Sequence, residues 1–350
     1  MFRQSPKRCP TALSLNWQSN NVERRINMSS LNVPAIYALK IARKAYGKLF
    51  DGAKFTNVKS FSPDQYASTL IEEGLRGDKP FMVGRLGAVE LSSIANYYSV
   101  KNHRNNFLGY IKGDSEAFWW DNNTLQNMSN NAGFFPSTPQ NLEKFAKLML
   151  DDMSQLDILG SWLWQEKLFD NYLSHAKKIS LFDLEPYNHT NPWSYALEGR
   201  TVLVVHPFVD SIRQQYTRRE LLFPNPKVLP HFELKTIRAI QSIANNYTGF
   251  KDWFEALNYM KDQISNTEFD VAIIGCGAYG FPLAAHVKRM GKKAVHLGGA
   301  TQTLFGVKGK RWEEQKEHQI VAQMMNEHWI RPLSSETPEG IQKVEGGCYW

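Results

Sequence analysis

Four stretches of the chain place glycines, charged side chains or an imidazole at the spacing expected just after a β-strand. In Gly84-Arg85-Leu86-Gly87-Ala88-Val89-Glu90 a guanidinium and a carboxylate flank a tight turn. Arg85 is suited to clamp a phosphate through paired N–H donors, and Glu90 to act as a base or as a ligand to a hard cation. The competing reading is a buried Arg–Glu ion pair that fixes the turn. Gly275-Cys276-Gly277-Ala278-Tyr279-Gly280 lets backbone N–H groups approach a phosphate at the positive end of a helix, or else serves packing alone. His296-Leu297-Gly298-Gly299 leads to Lys308, Lys310 and Arg311, which would neutralise a diphosphate or simply form a solvated basic loop. His206-Pro207-Phe208 offers an imidazole that titrates near neutrality and suits a general base, against the commoner role of a hydrogen-bonded structural histidine.

These residues act together only if a scaffold brings their turns to one place. TVLVVHPF (201–208), DVAIIG (270–275) and KAVHLGG (293–299) are apolar, β-branched runs ending in turn residues, as strands buried on both faces are. A shorter run, Phe81–Val83, precedes the Arg85 turn. Helical patterns lie between them: 62–77 with Ser62 as cap and Asp64 in its first turn, then 209–220, 232–245, 252–265 and a helix from Phe281. Alternation of this kind predicts an α/β fold, a mostly parallel sheet flanked by helices whose βα turns open on one edge. The segment at about 100–200 is expected to be a helical, aromatic-rich insertion with loops at 122–131 and 136–139. Its aromatic residues read mainly as core, with sugar stacking the alternative. A dinucleotide site would want an acidic residue after the strand at 293–299, and no Asp or Glu lies between Gly280 and Trp312, which disfavours NAD.

Composition narrows the class. With 42% hydrophobic and 21% charged residues the 350-residue chain is of ordinary globular type, and no apolar run reaches the roughly 18 residues of a membrane helix. Cys9, Cys276 and Cys348 are too scattered for a disulfide framework or a zinc site. The basic N-terminus lacks a signal-peptide core, so a cytoplasmic protein is expected; Met28 is a second candidate start. The net charge of +7 is concentrated: residues 1–60 hold eleven Lys/Arg against Glu23 and Asp51, leaving −2 for the rest. A folded body without a basic face argues against nucleic acid as partner. Within this arm PAIYALKIARKAYGKLF (34–50) is amphipathic, with Lys40, Arg43, Lys44 and Lys48 on one side and Leu39, Ile41, Ala45, Tyr46, Leu49 and Phe50 on the other. It reads as a surface helix with a solvated basic face, or as a peripheral contact with the inner face of an anionic membrane.

With these residues in view, the chain resembles the GT-D-type bacterial glycosyltransferases, enzymes with a Rossmann-like fold that use nucleotide sugars in glycan assembly. The family motif Arg-Phe-Gly-Asp-Gly-Glu is matched at Arg85, Gly87 and Glu90; Ala88 stands where the family has Asp, and Val89 where it has Gly. HPFVDSIRQQY, ELLFPNP and HLGGATQTLFGVKGKRW are similar to a branch of uncharacterised proteins encoded beside polysaccharide genes. The resemblance covers about residues 60–330. It implies transfer of a sugar from a nucleotide-diphosphate sugar, a UDP-sugar by expectation, to a glycan or lipid-linked acceptor. Glu90 or His206 would be the catalytic base. Gly84, Arg85, Gly87, Gly275, Gly277, Gly280, His296, Gly298, Gly299, Lys308, Lys310 and Arg311 would hold the nucleotide sugar. In the family the Asp-x-Glu binds metal; here Glu90 alone remains for Mn2+ or Mg2+, and the expectation is transfer with little or no dependence on the cation. The expected organisation is a polar basic tail (1–33), a basic amphipathic helix (34–60), a Rossmann-type catalytic domain (61–333) and a C-terminal tail (334–350). The alternatives are a Rossmann-type oxidoreductase or methyltransferase built on residues 275–280, and a non-catalytic nucleotide-binding protein.

Overall fold

The structure, a computed structural model, describes residues 31–50, 64–102 and 105–350. Most of the tail at 1–33, Cys9, Met28, Ser62 and the segment 51–63 therefore lie outside the described residues. Seven strands form one sheet: β1 (Phe81–Gly84), β2 (Ile158–Ser161), β3 (Lys177–Ser180), β4 (Thr201–His206), β5 (Glu233–Arg238), β6 (Val271–Ile274) and β7 (Lys293–His296). Their order is β3-β2-β1-β7-β6-β4-β5, and every neighbouring pair is parallel. This is a Rossmann-like α/β architecture, with helices on both faces of the sheet.

The apolar runs resolve into two faces once they are strands, because successive side chains point to opposite sides. Leu203, Val205, Ala272 and Ile274 face a core completed by the helices Ala88–Asn102, Pro139–Met153, Trp253–Ser265 and Gly280–Arg289. Val202, Val204, Val271 and Ile273 face a second core with Ile71 and Leu75 of the helix Gln65–Arg76 and with Trp193, Ile212 and Leu304. Burial on both sides is why these strands lack the alternating pattern of a half-exposed sheet.

The structure corrects several expected elements. Residues 100–200 are not wholly a helical insertion, since they carry β2 and β3, and Asn122–Asn130 is a helix capped by Asp121. Glu233–Arg238, expected to be helical, is the edge strand β5; pairing with β4 over six residues outweighs the local helical pattern of ELKTIR. Asp64 is the cap of Gln65–Arg76, its carboxylate accepting from the Tyr66 N–H. Cys276 and Cys348 are buried free thiols. No described helix is long and apolar enough to cross a membrane.

The topology fixes where a ligand can enter. β4 leads outward to β5, whereas its neighbour β6 leads the other way to β7, so the loops after β4 and β6 part at the carboxyl edge. A crevice at that point is where open parallel sheets bind ligands.

Candidate functional site

A cavity of about 460 Å3 occupies this edge, within the size range of small-molecule sites. The turns after β1, β7, β6 and β4 all reach it, bringing together Arg85, Glu90, His296, Gly298, Gly277 and His206 from positions more than 200 residues apart. Gly87, Gly275, Gly299 and Arg311 line it too. Lys308 and Lys310 do not: both are half-buried, and the Lys308 backbone is tied to Ile330 and Gln302 instead. Gly84 lies beneath the wall as the last residue of β1, and Gly280 packs behind His296.

Arg85 is the most telling of these residues. Its guanidinium stacks over the Trp162 ring at 4.8 Å and donates one hydrogen bond to the Leu86 carbonyl oxygen at 3.3 Å. No carboxylate comes within ion-pair distance of it among the described residues, so the Arg85–Glu90 ion pair of the competing reading does not form. Burial pulls its pKa down, with the Tyr349 and Glu90 charges acting the other way, yet a guanidinium stays protonated. The result is a half-buried cation on the cavity wall.

The Glu90 carboxylate lies directly over Gly87, where a Cβ would sit 1.9 Å from its oxygen. A side chain at Gly87 would have to displace the Glu90 carboxylate from this position. Burial raises the Glu90 pKa, opposed by its own backbone N–H and by Arg85. Ala88, in the place of the family's Asp, is exposed at the start of the helix Ala88–Asn102. No three His, Cys, Asp or Glu side chains converge as metal ligands among the described residues, and beside Glu90 stands a cation, Arg85. That donor set suits an anion better than a bound Mn2+ or Mg2+.

The structure is against His206 as the base. Its Nδ1 accepts from the Phe208 N–H at 3.0 Å, so in the neutral ring the proton sits on Nε2, and burial lowers the pKa to about 3. The ring can donate into the cavity but has no free lone pair with which to take a proton. His296 is neutral as well, lowered to about 3 by burial and by Arg85, its Nδ1 within 3.2 Å of the Ile274 carbonyl oxygen. Its ring also packs on Gly280, where a Cβ would lie 2.2 Å from it, while the residue lines the cavity.

The glycine-rich turn 275–280 is likewise explained largely from within. A Cβ on Gly275 would lie 2.4 Å from the Gly298 carbonyl oxygen, so this glycine lets the β6 and β7 turns touch. The N–H groups of Gly275, Ala278 and Tyr279 already donate to Val205, Ala132 and Cys276. After β4, the helix Val209–Tyr216 has its first N–H groups filled by the Glu336 carboxylate, through Asp210 at 2.7 Å and Ser211 at 3.1 Å. At these two turns the backbone N–H groups are thus largely used within the protein.

Two parts of the wall were not singled out by sequence reasoning. Glu185, just after β3 and the turn Leu181–Leu184, is buried in the cavity wall with its carboxylate accepting from Asn188 at 3.3 Å. Burial lifts its pKa to about 7, against the pull of Tyr187, Asn188 and Arg85. The Ser180–Asp183 capping box was a signal for this turn, but the strand before it, Lys177–Ser180, has no apolar run to announce it. The second part is the C-terminal segment, where Val344, Glu345, Tyr349 and Trp350 close one side. Arg311 ties that side together, pairing with Glu345 and donating to the Tyr349 hydroxyl at 3.2 Å. Trp312 Nε1 and His318 Nδ1, on the same wall, are buried without a hydrogen-bond partner among the described residues. Of the aromatic residues in the middle of the chain, Trp162 reaches the cavity, whereas Phe118, Trp119, Phe134 and Trp193 are core.

Fold and site together define a parallel α/β protein with a cavity at the carboxyl edge of its sheet, lined by charged side chains of both signs. No protein-family model, curated protein or solved structure matches the chain.

Proposed function

We propose that the protein is a glycosyltransferase that moves a sugar from a nucleotide-diphosphate sugar, in the first instance a UDP-sugar, to a hydroxyl of a polysaccharide or lipid-linked acceptor. The observation that carries the reading is Arg85, at the mouth of the β1 and β7 turns. A half-buried guanidinium without a carboxylate partner among the described residues is open to an anion, and a diphosphate is an anion of the right shape for its fork. The sugar-transfer chemistry itself rests on the resemblance at Arg85, Gly87 and Glu90.

In the proposed reaction the acceptor oxygen forms a bond to the anomeric carbon while the bond from that carbon to the diphosphate oxygen breaks. The acceptor proton passes to Glu185, whose carboxyl, lifted to about 7, is part ionised at neutral pH and close to ideal as a base. Glu185 replaces His206 in that role, and Glu90 remains a second carboxylate beside the donor. The charge released on the diphosphate is met by Arg85 and by Arg311, in the position a divalent cation would otherwise take. A bound Mn2+ or Mg2+ would supply the same counter-charge. Activity is accordingly expected to survive EDTA; loss with EDTA and recovery only with Mn2+ would contradict this part of the proposal.

A thermal-shift panel of nucleotides, nucleotide sugars, NADH and S-adenosylmethionine, with and without Mn2+, tests the reading directly. UDP or a UDP-sugar is expected to raise Tm in the native chain and not in Arg85→Ala. Stabilisation by NADH or S-adenosylmethionine alone would point to an oxidoreductase or methyltransferase and end the proposal. Binding of UDP without turnover of any UDP-sugar would leave a non-catalytic nucleotide-binding protein.

A further inference from the structure

The helix Val33–Phe50 turns the wrong way for an ordinary surface helix. Two of its charged residues face the body: Lys40 pairs with Asp121 at 2.8 Å, and Arg43 bonds Glu116 at 3.3 Å and the carbonyl oxygens of Ser115 and Tyr110. Ile36 and Leu39 pack on Tyr110, Phe118 and Trp119. The basic side expected from the sequence is thus split, with Lys40 and Arg43 inward and Lys44 and Lys48 outward. The outward face carries Val33, Tyr37, Ile41 and Leu49, which are 66%, 65%, 67% and 74% exposed. Spacing of four puts Val33, Tyr37, Ile41 and Ala45 in one row, with Lys44 and Lys48 along its margin. Neither lysine has an acidic partner among the described residues.

We infer that this face lies on an anionic lipid surface, with the apolar row in the acyl boundary and Lys44 and Lys48 at the headgroups. A contiguous exposed apolar row bordered by lysines is the pattern of an interfacial helix, since long basic side chains reach the headgroups while their stems stay apolar. Charge selects the occupant. The flanking segments add Arg3, Lys7, Arg8, Arg24, Arg25, Lys54 and Lys59 with only Glu23 and Asp51 in opposition. A second copy of this face would bring like charges together, and the chain's own N-terminal segment is equally basic, whereas an anionic bilayer complements all of them. The helix is no membrane span, so the attachment is peripheral. The inference does not depend on what the cavity binds.

Co-sedimentation of the full chain with phosphatidylglycerol–phosphatidylcholine vesicles, and with pure phosphatidylcholine vesicles, tests it. Binding is expected to the anionic vesicles, weaker by about tenfold or more on neutral ones, and reduced in about 0.5 M salt. Tyr37→Asp/Ile41→Asp should abolish binding, and Lys44→Glu/Lys48→Glu should weaken it about tenfold, with Tm unchanged in both because these side chains are exposed. Equal binding to neutral vesicles would overturn the inference, as would undiminished binding by Tyr37→Asp/Ile41→Asp. A salt-resistant dimer that Ile41→Asp dissociates, without vesicle binding, would assign the face to a second copy instead.

Discussion

Arg85, Glu185 and His206 show how one cavity sets three protonation states. Arg85 is a half-buried cation without a carboxylate partner among the described residues, and its partial burial costs some stability in the free protein. Arg85→Met should raise the Tm of the free protein or leave it unchanged, while weakening UDP binding at least about tenfold, the worth of one charge-assisted hydrogen bond. Calorimetry and thermal shift on the same sample separate the two effects, and a fall in Tm with intact binding would make Arg85 structural. Glu185 is raised from 4.5 to about 7, so the unfolded chain ionises it first and stability is lost as pH rises from about 4.5 to 7. Glu185→Gln should therefore gain stability over the native chain above pH 7, on the order of 3 kcal/mol, and none below pH 4.5. The same variant should cut turnover by about 100-fold or more if the carboxylate is the base. His206 has the opposite sign: lowered to about 3, it contributes stability above pH 6.5 that is lost as pH falls. His206→Asn, whose Oδ1 can still accept from Phe208, should be less sensitive to acid than the native chain in urea titrations between pH 6.5 and 4. It should leave the pH–rate profile near neutrality unmoved.

At the scale of elements, the site depends on contacts between turns. Gly275 and Gly280 read in sequence as a phosphate loop, yet each is required by a neighbour that the sequence places some 20 residues away. Gly280→Ala should destabilise the protein by about 1–3 kcal/mol, since the new methyl meets a buried ring and the core must shift. Urea midpoints would measure this, and a neutral result would restore the phosphate reading of that glycine. β4, β6 and β7 were legible because doubly buried strands are continuous apolar runs. β2, β3 and β5 were not: ILGS, KKIS and ELKTIR carry glycine or charges, and they are strands because a parallel neighbour takes up their backbone hydrogen bonds. Missing β3 is what hid Glu185.

For the whole molecule, the C-terminal segment belongs to the site rather than forming a tail. Val344, Cys348 and Trp350 are buried, and Glu345 and Tyr349 hold Arg311 at the cavity. Removing residues 341–350 should cost roughly 3–6 kcal/mol, from the lost burial of the apolar side chains, and should abolish any ligand-induced rise in Tm. An unchanged Tm would show that this segment is only a cover.

The sequence alone determined the α/β class, the doubly buried strands and the location of Arg85, Glu90, His206 and Gly298 at strand ends, because strand propensity and turn chemistry are local. It left open which glycines pack and which bind, which histidine keeps a free nitrogen and which face of the helix Val33–Phe50 meets water. Those were decided by tertiary structure, since protonation and exposure depend on distant neighbours. Arg85 lacks a carboxylate, His206 spends its Nδ1 on Phe208, and Lys40 and Arg43 turn inward to Asp121 and Glu116.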